Sequence, residues 1–163
     1  MRKRPIIAGL VLLIIIIGFS SVSAEQKSTT DVKKVCSGKK SCMIGIVNKI
    51  IDGDTLIVKN QKIRLSLTNT PEKNDVNFIK TIDFAKQICP VGSPVIVDQD
   101  DKQPVDRYER IVGKVTCSGK ILNAELLYGG YAHILKQYCA KSEFANEPWA
   151  KKYGCGPTAE PSK

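Results

Sequence analysis

From Met43 onward the alternation of apolar and polar positions follows the period of β-strands. Ile44, Ile46, Val47, Ile50 and Ile51 mark a first strand, and the alternation breaks near Asn48, which predicts a bend there. Leu56-Ile57-Val58 form a second strand, Asn60-Gln61 a turn, and Ile63, Leu65 and Leu67 alternate with Arg64, Ser66 and Thr68 in a third. The period then lengthens. Phe78, Ile79, Ile82, Ala85 and Ile88 recur at helical spacing between Asn74 and Cys89, with Asp75 or Asn77 as N-cap and Pro90 and Gly92 as the stop. Val95-Ile96-Val97 is a fourth strand and Asp98 to Tyr108 a long polar loop. Ile111, Val112, Val115 and Cys117 belong to a fifth, turned by Ser118-Gly119. Asn123 caps a short helix, Ala124 to Tyr128, which Gly129-Gly130 ends, and Ser142 to Gly154 forms a last helical segment around Pro148-Trp149. Five short strands interrupted by about three short helices predict a β-rich α+β fold, a five-stranded OB-type Greek-key barrel.

The first 24 residues stand apart from this pattern. Arg2, Lys3 and Arg4 precede an unbroken apolar run of 14 from Ile6 to Phe19, and Val22-Ser23-Ala24 fits a small-residue cleavage site. This reads as a secretory signal. A retained membrane anchor is the alternative, because Pro5 to Ala24 carries no charge over 20 residues. Either way the remainder is expected to be secreted or held at the cell envelope, with any membrane contact made through this segment. Residues 25–42 read as a polar tether ending in a small cysteine loop, 43–138 as the barrel domain, and 139–163 as a C-terminal tail.

Setting the leader aside leaves 22 Lys/Arg against 16 Asp/Glu, a formal +6. A basic surface attracts polyanions, although solubility alone would account for that charge. The chain has six cysteines, Cys36, Cys42, Cys89, Cys117, Cys139 and Cys155, all after the leader. An even count behind an export signal reads as disulfides, whose connectivity the count leaves open. Zinc is disfavoured, because no Cys-x-x-Cys occurs and His133 is the single histidine. The order of the elements favours Cys36–Cys42 closing a local loop, Cys89–Cys117 joining the helix end to the fifth strand, and Cys139–Cys155 pinning the tail. His133, between Ala132 and Ile134 in an apolar stretch, reads as a structural histidine.

The chemistry gathers at two places. Asp52-Gly53-Asp54-Thr55, Arg64 and Thr70-Pro71-Glu72 fall on the first three strands and the turn after them, and Asp106-Arg107-Tyr108-Glu109-Arg110 leads into the fifth. Paired carboxylates suit a hard divalent cation with oxygen ligands. Arginines projecting to the same place suit a phosphate, because the guanidinium fork pairs with its oxygens. Asp-Gly-Asp alone would be an ordinary turn, but the ordered set is specific.

From Gly45 to Tyr138 the chain resembles the staphylococcal nuclease family through Ile50-Ile51-Asp52-Gly53-Asp54-Thr55, Arg64-Leu65, Thr70-Pro71-Glu72, Asp106-Arg107-Tyr108-Glu109-Arg110, Leu122-Asn123 and Leu126 to Ala132. The resemblance implies the same barrel and a nuclease that cleaves DNA and RNA phosphodiesters as a monomer, leaving 3′-phosphates. It implies a bound Ca2+, with Mg2+ as the alternative. Asp54 and the Thr70 carbonyl would hold the cation, Asp52 would lie behind Asp54, and Glu72 would orient or deprotonate the attacking water. Arg64 and Arg110 would grip the scissile phosphate, while Arg107 and Tyr108 would bind the nucleotide. Two departures stand out. Asn69 replaces the aspartate that usually precedes Thr-Pro-Glu and supplies a metal oxygen; its neutral amide oxygen is expected to coordinate the cation still, making a functional but weaker site. By ungapped counting, Lys136 takes the place of a tyrosine, with Tyr138 on the next matched one. A barrel that keeps nucleic-acid binding without catalysis is the competing reading, favoured by Asn69. An envelope-tethered protein-interaction module is the third.

Overall fold

The computed structural model describes residues 35–156, so the leader and most of the tether lie outside the described residues. The chain forms β1 (Cys42–Asp52), β2 (Thr55–Val58), β3 (Gln61–Leu65), β4 (Thr68–Asn69), α1 (Phe78–Ile88), β5 (Pro94–Gln99), β6 (Ile111–Cys117), β7 (Lys120–Ile121), α2 (Leu122–Tyr128), β8 (His133–Ile134) and α3 (Pro148–Lys152). Two 3-10 turns, Lys136–Lys141 and Glu143–Asn146, precede α3. The main sheet runs β3-β2-β1-β5-β6-β7, and a parallel pairing of β3 with β6 closes its first five strands into a barrel. That is the expected five-stranded OB-type architecture.

Closure requires β1 to bend so that one strand can serve two neighbours. Its register against β2 shifts between Val47 and Lys49 and again between Ile50 and Asp52, so the break in alternation at Asn48 is a bulge. The β2–β3 hairpin turns through Lys59 and Asn60, both at positive φ, a residue earlier than expected. Inside the barrel Val47, Leu56, Val58, Ile63, Leu65, Val95, Val97 and Val115 are buried. At about 25 cal/mol per Å2 of apolar surface, this burial is the main favourable term in the fold.

The third strand is shorter than its alternation suggests. β3 ends at Leu65, the Ser66 amide donates to the Gly113 carbonyl at 2.8 Å, and Leu67 adopts φ 60°. Leu67 leaves the barrel core for a second cluster with Leu127, Ile134, Phe144 and Trp149. This break redirects the chain, so Thr68–Asn69 pairs with β8 instead of extending β3. Trp149 is a buried tail residue, as expected.

Four other expectations are corrected. The helix starts at Phe78 with Asn77 at its N-cap position as expected, but Ile79 is 62% exposed while Thr81 turns inward. Asn123 lies inside α2, not at its cap; its side chain accepts from the Val115 amide and donates to the Ser66 and Gly113 carbonyls. The polar loop begins two residues late, because Asp98 and Gln99 finish β5. His133 is exposed on β8 instead of buried among apolar neighbours. Three disulfides, Cys36–Cys42, Cys89–Cys117 and Cys139–Cys155, join the pairs that the order of elements favoured.

Candidate active site

Gly53 explains why the two aspartates stand where they do. A Cβ on Gly53 would lie 2.3 Å from Thr81 Cγ2 and 2.8 Å from Thr70 Cγ2, so only glycine lets this corner pack against both α1 and the Thr-Pro-Glu turn. The close approach seats Asp54, which is 6% exposed. Its Oδ2 accepts from the Thr70 amide at 2.7 Å and the Thr70 hydroxyl at 2.8 Å. Its Oδ1 faces Arg64 Nη1 at 3.1 Å and accepts from the Thr55 hydroxyl at 3.2 Å. Asp52 Oδ1 accepts from the Asp54 amide at 3.1 Å.

Arg64 projects from β3 beside this corner and is anchored by backbone. Nη1 donates to the carbonyls of Thr68 at 2.5 Å and Leu65 at 3.1 Å, while Nη2 donates to Asn69 Oδ1 at 2.8 Å. Burial lowers its proton affinity; the Asp54 charge opposes this, and the like charge of Arg110 adds to it. Arg110 approaches from the loop before β6. Its Nε and Nη2 both reach Asp106 Oδ2, at 2.7 and 2.6 Å, and its Nη1 donates to Thr55 Oγ1 at 3.2 Å. Thr55 therefore touches both Asp54 and Arg110.

These side chains line a cleft of about 690 Å3 shared with Glu72, Arg107, Tyr108 and Tyr138. Glu72 stands exposed on the rim. Arg107 lies over the Tyr108 ring at 4.7 Å and donates to its hydroxyl at 2.6 Å; Arg110 lies 5.4 Å from the same ring. The structure thus brings Asp52, Asp54, Arg64, Asn69, Glu72, Arg107, Tyr108 and Arg110 to one cleft. Thr70 stands behind it, holding Asp54. Lys136 does not line the cleft, since its stem lies against Gly154.

The roles of two positioning residues escaped the sequence reading. Asp106 collects the amides of Tyr108 at 2.9 Å and Arg110 at 3.0 Å besides the guanidinium, so one carboxylate shapes the whole loop. Burial alone would raise its pKa, but the Arg110 hydrogen bonds outweigh that and hold it below the usual range. Asp100, fully buried, accepts from Ser66 Oγ, Ser142 Oγ and the amides of Lys102 and Glu143. It ties the turn after β3, the start of the loop and the tail together. An acid four residues before an arginine was a visible signal for Asp106. Asp100 offered none.

The fit of a cation follows from the donors. Among the described residues no group of three or more His, Cys, Asp or Glu side chains gathers to hold a metal. What the corner offers is oxygen: the Asp54 and Asp52 carboxylates and Thr70, with the Asn69 amide oxygen turned to Arg64. Burial, and next the Asp54 charge, push the Asp52 pKa up to about 6. A buried carboxylate whose charge is disfavoured by a neighbouring carboxylate is one that a hard cation would relieve. The donor set therefore fits calcium or magnesium, with few charged ligands.

The comparisons with known proteins agree with this geometry. The family described as staphylococcal nuclease homologue matches residues 62–152. Endonuclease YhcR of Bacillus subtilis (strain 168) is 33% identical over 105 residues, covering 54% of this chain. The chain spans only about 8% of that protein's length. The matched segment begins within β3, just before Arg64, and runs through Glu72, Arg110 and the tail into α3. It leaves the Asp-Gly-Asp corner to be joined by the fold itself. On that match, with the barrel and its arginine-lined cleft, the chain belongs to the staphylococcal nuclease homologue family.

Proposed function

We propose that this chain is an exported, metal-dependent nuclease that hydrolyses DNA and RNA phosphodiesters with little sequence selectivity. One observation carries the reading: Arg64 from β3 and Arg110 from the loop before β6 converge on a single cleft beside Asp54, with Glu72 on its rim. Oriented donors of this kind act on charge that develops at phosphorus and are worth a few kcal/mol each. Arg64, hung on backbone carbonyls, would hold the phosphate in place. Arg110, reached through Asp106, would meet the added negative charge. Glu72, with no ion-pair partner among the described residues, would orient the attacking water and take its proton. Tyr108 and Arg107 present an exposed aromatic face and a cation to a base or a neighbouring phosphate.

Asp54, with Asp52 behind it and the Thr70 carbonyl, would hold calcium. A bound calcium would supply positive charge next to the phosphate and hold water there. For Asn69 to add its oxygen, the amide would have to turn off Arg64. Phosphate contacts carry no sequence information, which is why low selectivity is expected. The six-cysteine disulfide set and the apolar leader support action outside the cytoplasm.

Binding without cleavage is the second reading, favoured by the neutral Asn69. A plasmid-nicking assay with calcium, then with EDTA, tests the proposal. Calcium-dependent nicking supports it. A gel shift in EDTA with no cleavage in calcium would instead support the binding barrel.

A further inference from the structure

Asn69 has a hydrogen-bonding environment that fixes its orientation. Its side chain stands between Arg64 Nη2, at 2.8 Å from Oδ1, and His133 Nε2, at 3.4 Å from Nδ2. Arginine only donates, so the atom facing it must be the amide oxygen. The amide nitrogen then faces His133, and the hydrogen bond between them uses Nε2 as the acceptor. Backbone pairing sets the arrangement, because Asn69 and His133 are direct partners across β4 and β8.

The Arg64 head needs such a hold. Nη1 is committed to the Leu65 and Thr68 carbonyls, and Asp54 draws on the same nitrogen. Asn69 is the acceptor that sets Nη2, and with it the plane of the guanidinium. A carboxylate in its place would neutralise Arg64 beside Asp54, whereas an amide orients the arginine and leaves its charge for the phosphate.

We propose that Asn69 is a positioning residue for Arg64, a neutral clamp whose orientation is locked by His133, and not a ligand of the cation. This rests on the nuclease reading for its kinetic consequence only, since the hold on phosphate is measurable without cleavage.

The test is a mutant cycle read by fluorescence anisotropy of a labelled single-stranded DNA on the full chain in EDTA. Asn69→Ala should weaken binding about tenfold, the scale of a hydrogen bond to a charged group. His133→Ala, which removes an exposed side chain and should leave folding intact, should weaken it about threefold. Adding His133→Ala to Asn69→Ala should cost nothing more, and both effects should vanish in an Arg64→Ala background. Unchanged binding in Asn69→Ala, or losses that persist at full size without Arg64, would overturn the clamp. So would an Asn69→Ala variant that binds DNA normally in EDTA but needs about tenfold more calcium for cleavage, the signature of a lost metal ligand. If the parent protein binds DNA through Arg64 but never cleaves it, the nuclease reading fails while the clamp stands.

Discussion

Arg64 and Arg110, two of the three arginines that line the cleft, are held differently. Arg64 lies on a barrel strand with its side chain 12% exposed, fastened to two backbone carbonyls, Asp54 and Asn69. Arg110 follows a loop, its side chain 23% exposed, and is held by a carboxylate four residues away. Arg64 is held by Asp54 and by the turn that follows its own strand, Arg110 by its own loop and by Thr55 of β2. Glu109, between Tyr108 and Arg110, takes φ 60°, so the loop accepts an uncommon backbone conformation to aim its arginine.

The comparison breaks most sharply when either arginine is removed. Arg64→Ala and Arg110→Ala should each lower the cleavage rate by ~10² or more, the scale for losing one oriented charge stabiliser. Single-turnover kinetics at saturating calcium would check this, and equal binding with unequal rates would separate grip from charge stabilisation.

Asp106→Asn should affect the loop arm alone, lowering the rate about tenfold by loosening Arg110. The sign of the pH dependence follows from the depressed Asp106 pKa. A carboxylate whose folded pKa lies below its unfolded value contributes above the unfolded value and loses that contribution as pH falls through the folded one. The loop should therefore be fully organised from about pH 5 upward. In acid the rate should fall toward that of Asp106→Asn, and a rate profile on both forms would check this.

Stability separates the regions in another way. Asp100→Ala leaves two buried hydroxyls and several amides without their acceptor, and should cost about 2–4 kcal/mol in urea denaturation. Breaking Cys89–Cys117 should cost about 2–4 kcal/mol by freeing the unfolded chain. Tyr108→Phe sits at the small end. It loses the hydroxyl that Arg107 meets but keeps the ring, so nucleotide affinity should change no more than about threefold.

How much could be read beforehand depended on where each side chain goes. The strands were legible because Val47, Leu56, Ile63, Leu65, Val95, Val97 and Val115 all point into one barrel. Leu67 defeated the same rule, because it serves a second core and reaches it through a positive φ that no propensity anticipates. Ile79 lost its expected place to Thr81, which is drawn inward by the Gly53 corner. Asn123 and Asp100 look like surface residues in sequence, yet each satisfies backbone or hydroxyl groups from segments far apart. The chemistry of the cleft was legible as an ordered set of acids and arginines. What was not legible was which partner each would choose, since Asn69 meets Arg64 and His133 only once β4 and β8 pair.

The central proposal is that two differently held arginines and an oxygen-lined corner make one metal-dependent phosphodiesterase site. Cleavage of single-stranded DNA by the purified protein, followed with calcium and then with excess EDTA, tests it most directly. The account predicts cleavage that calcium stimulates, EDTA abolishes, and Arg64→Ala reduces by ~10². No calcium- or magnesium-stimulated cleavage, or cleavage indifferent to both EDTA and the loss of Arg64, would contradict it.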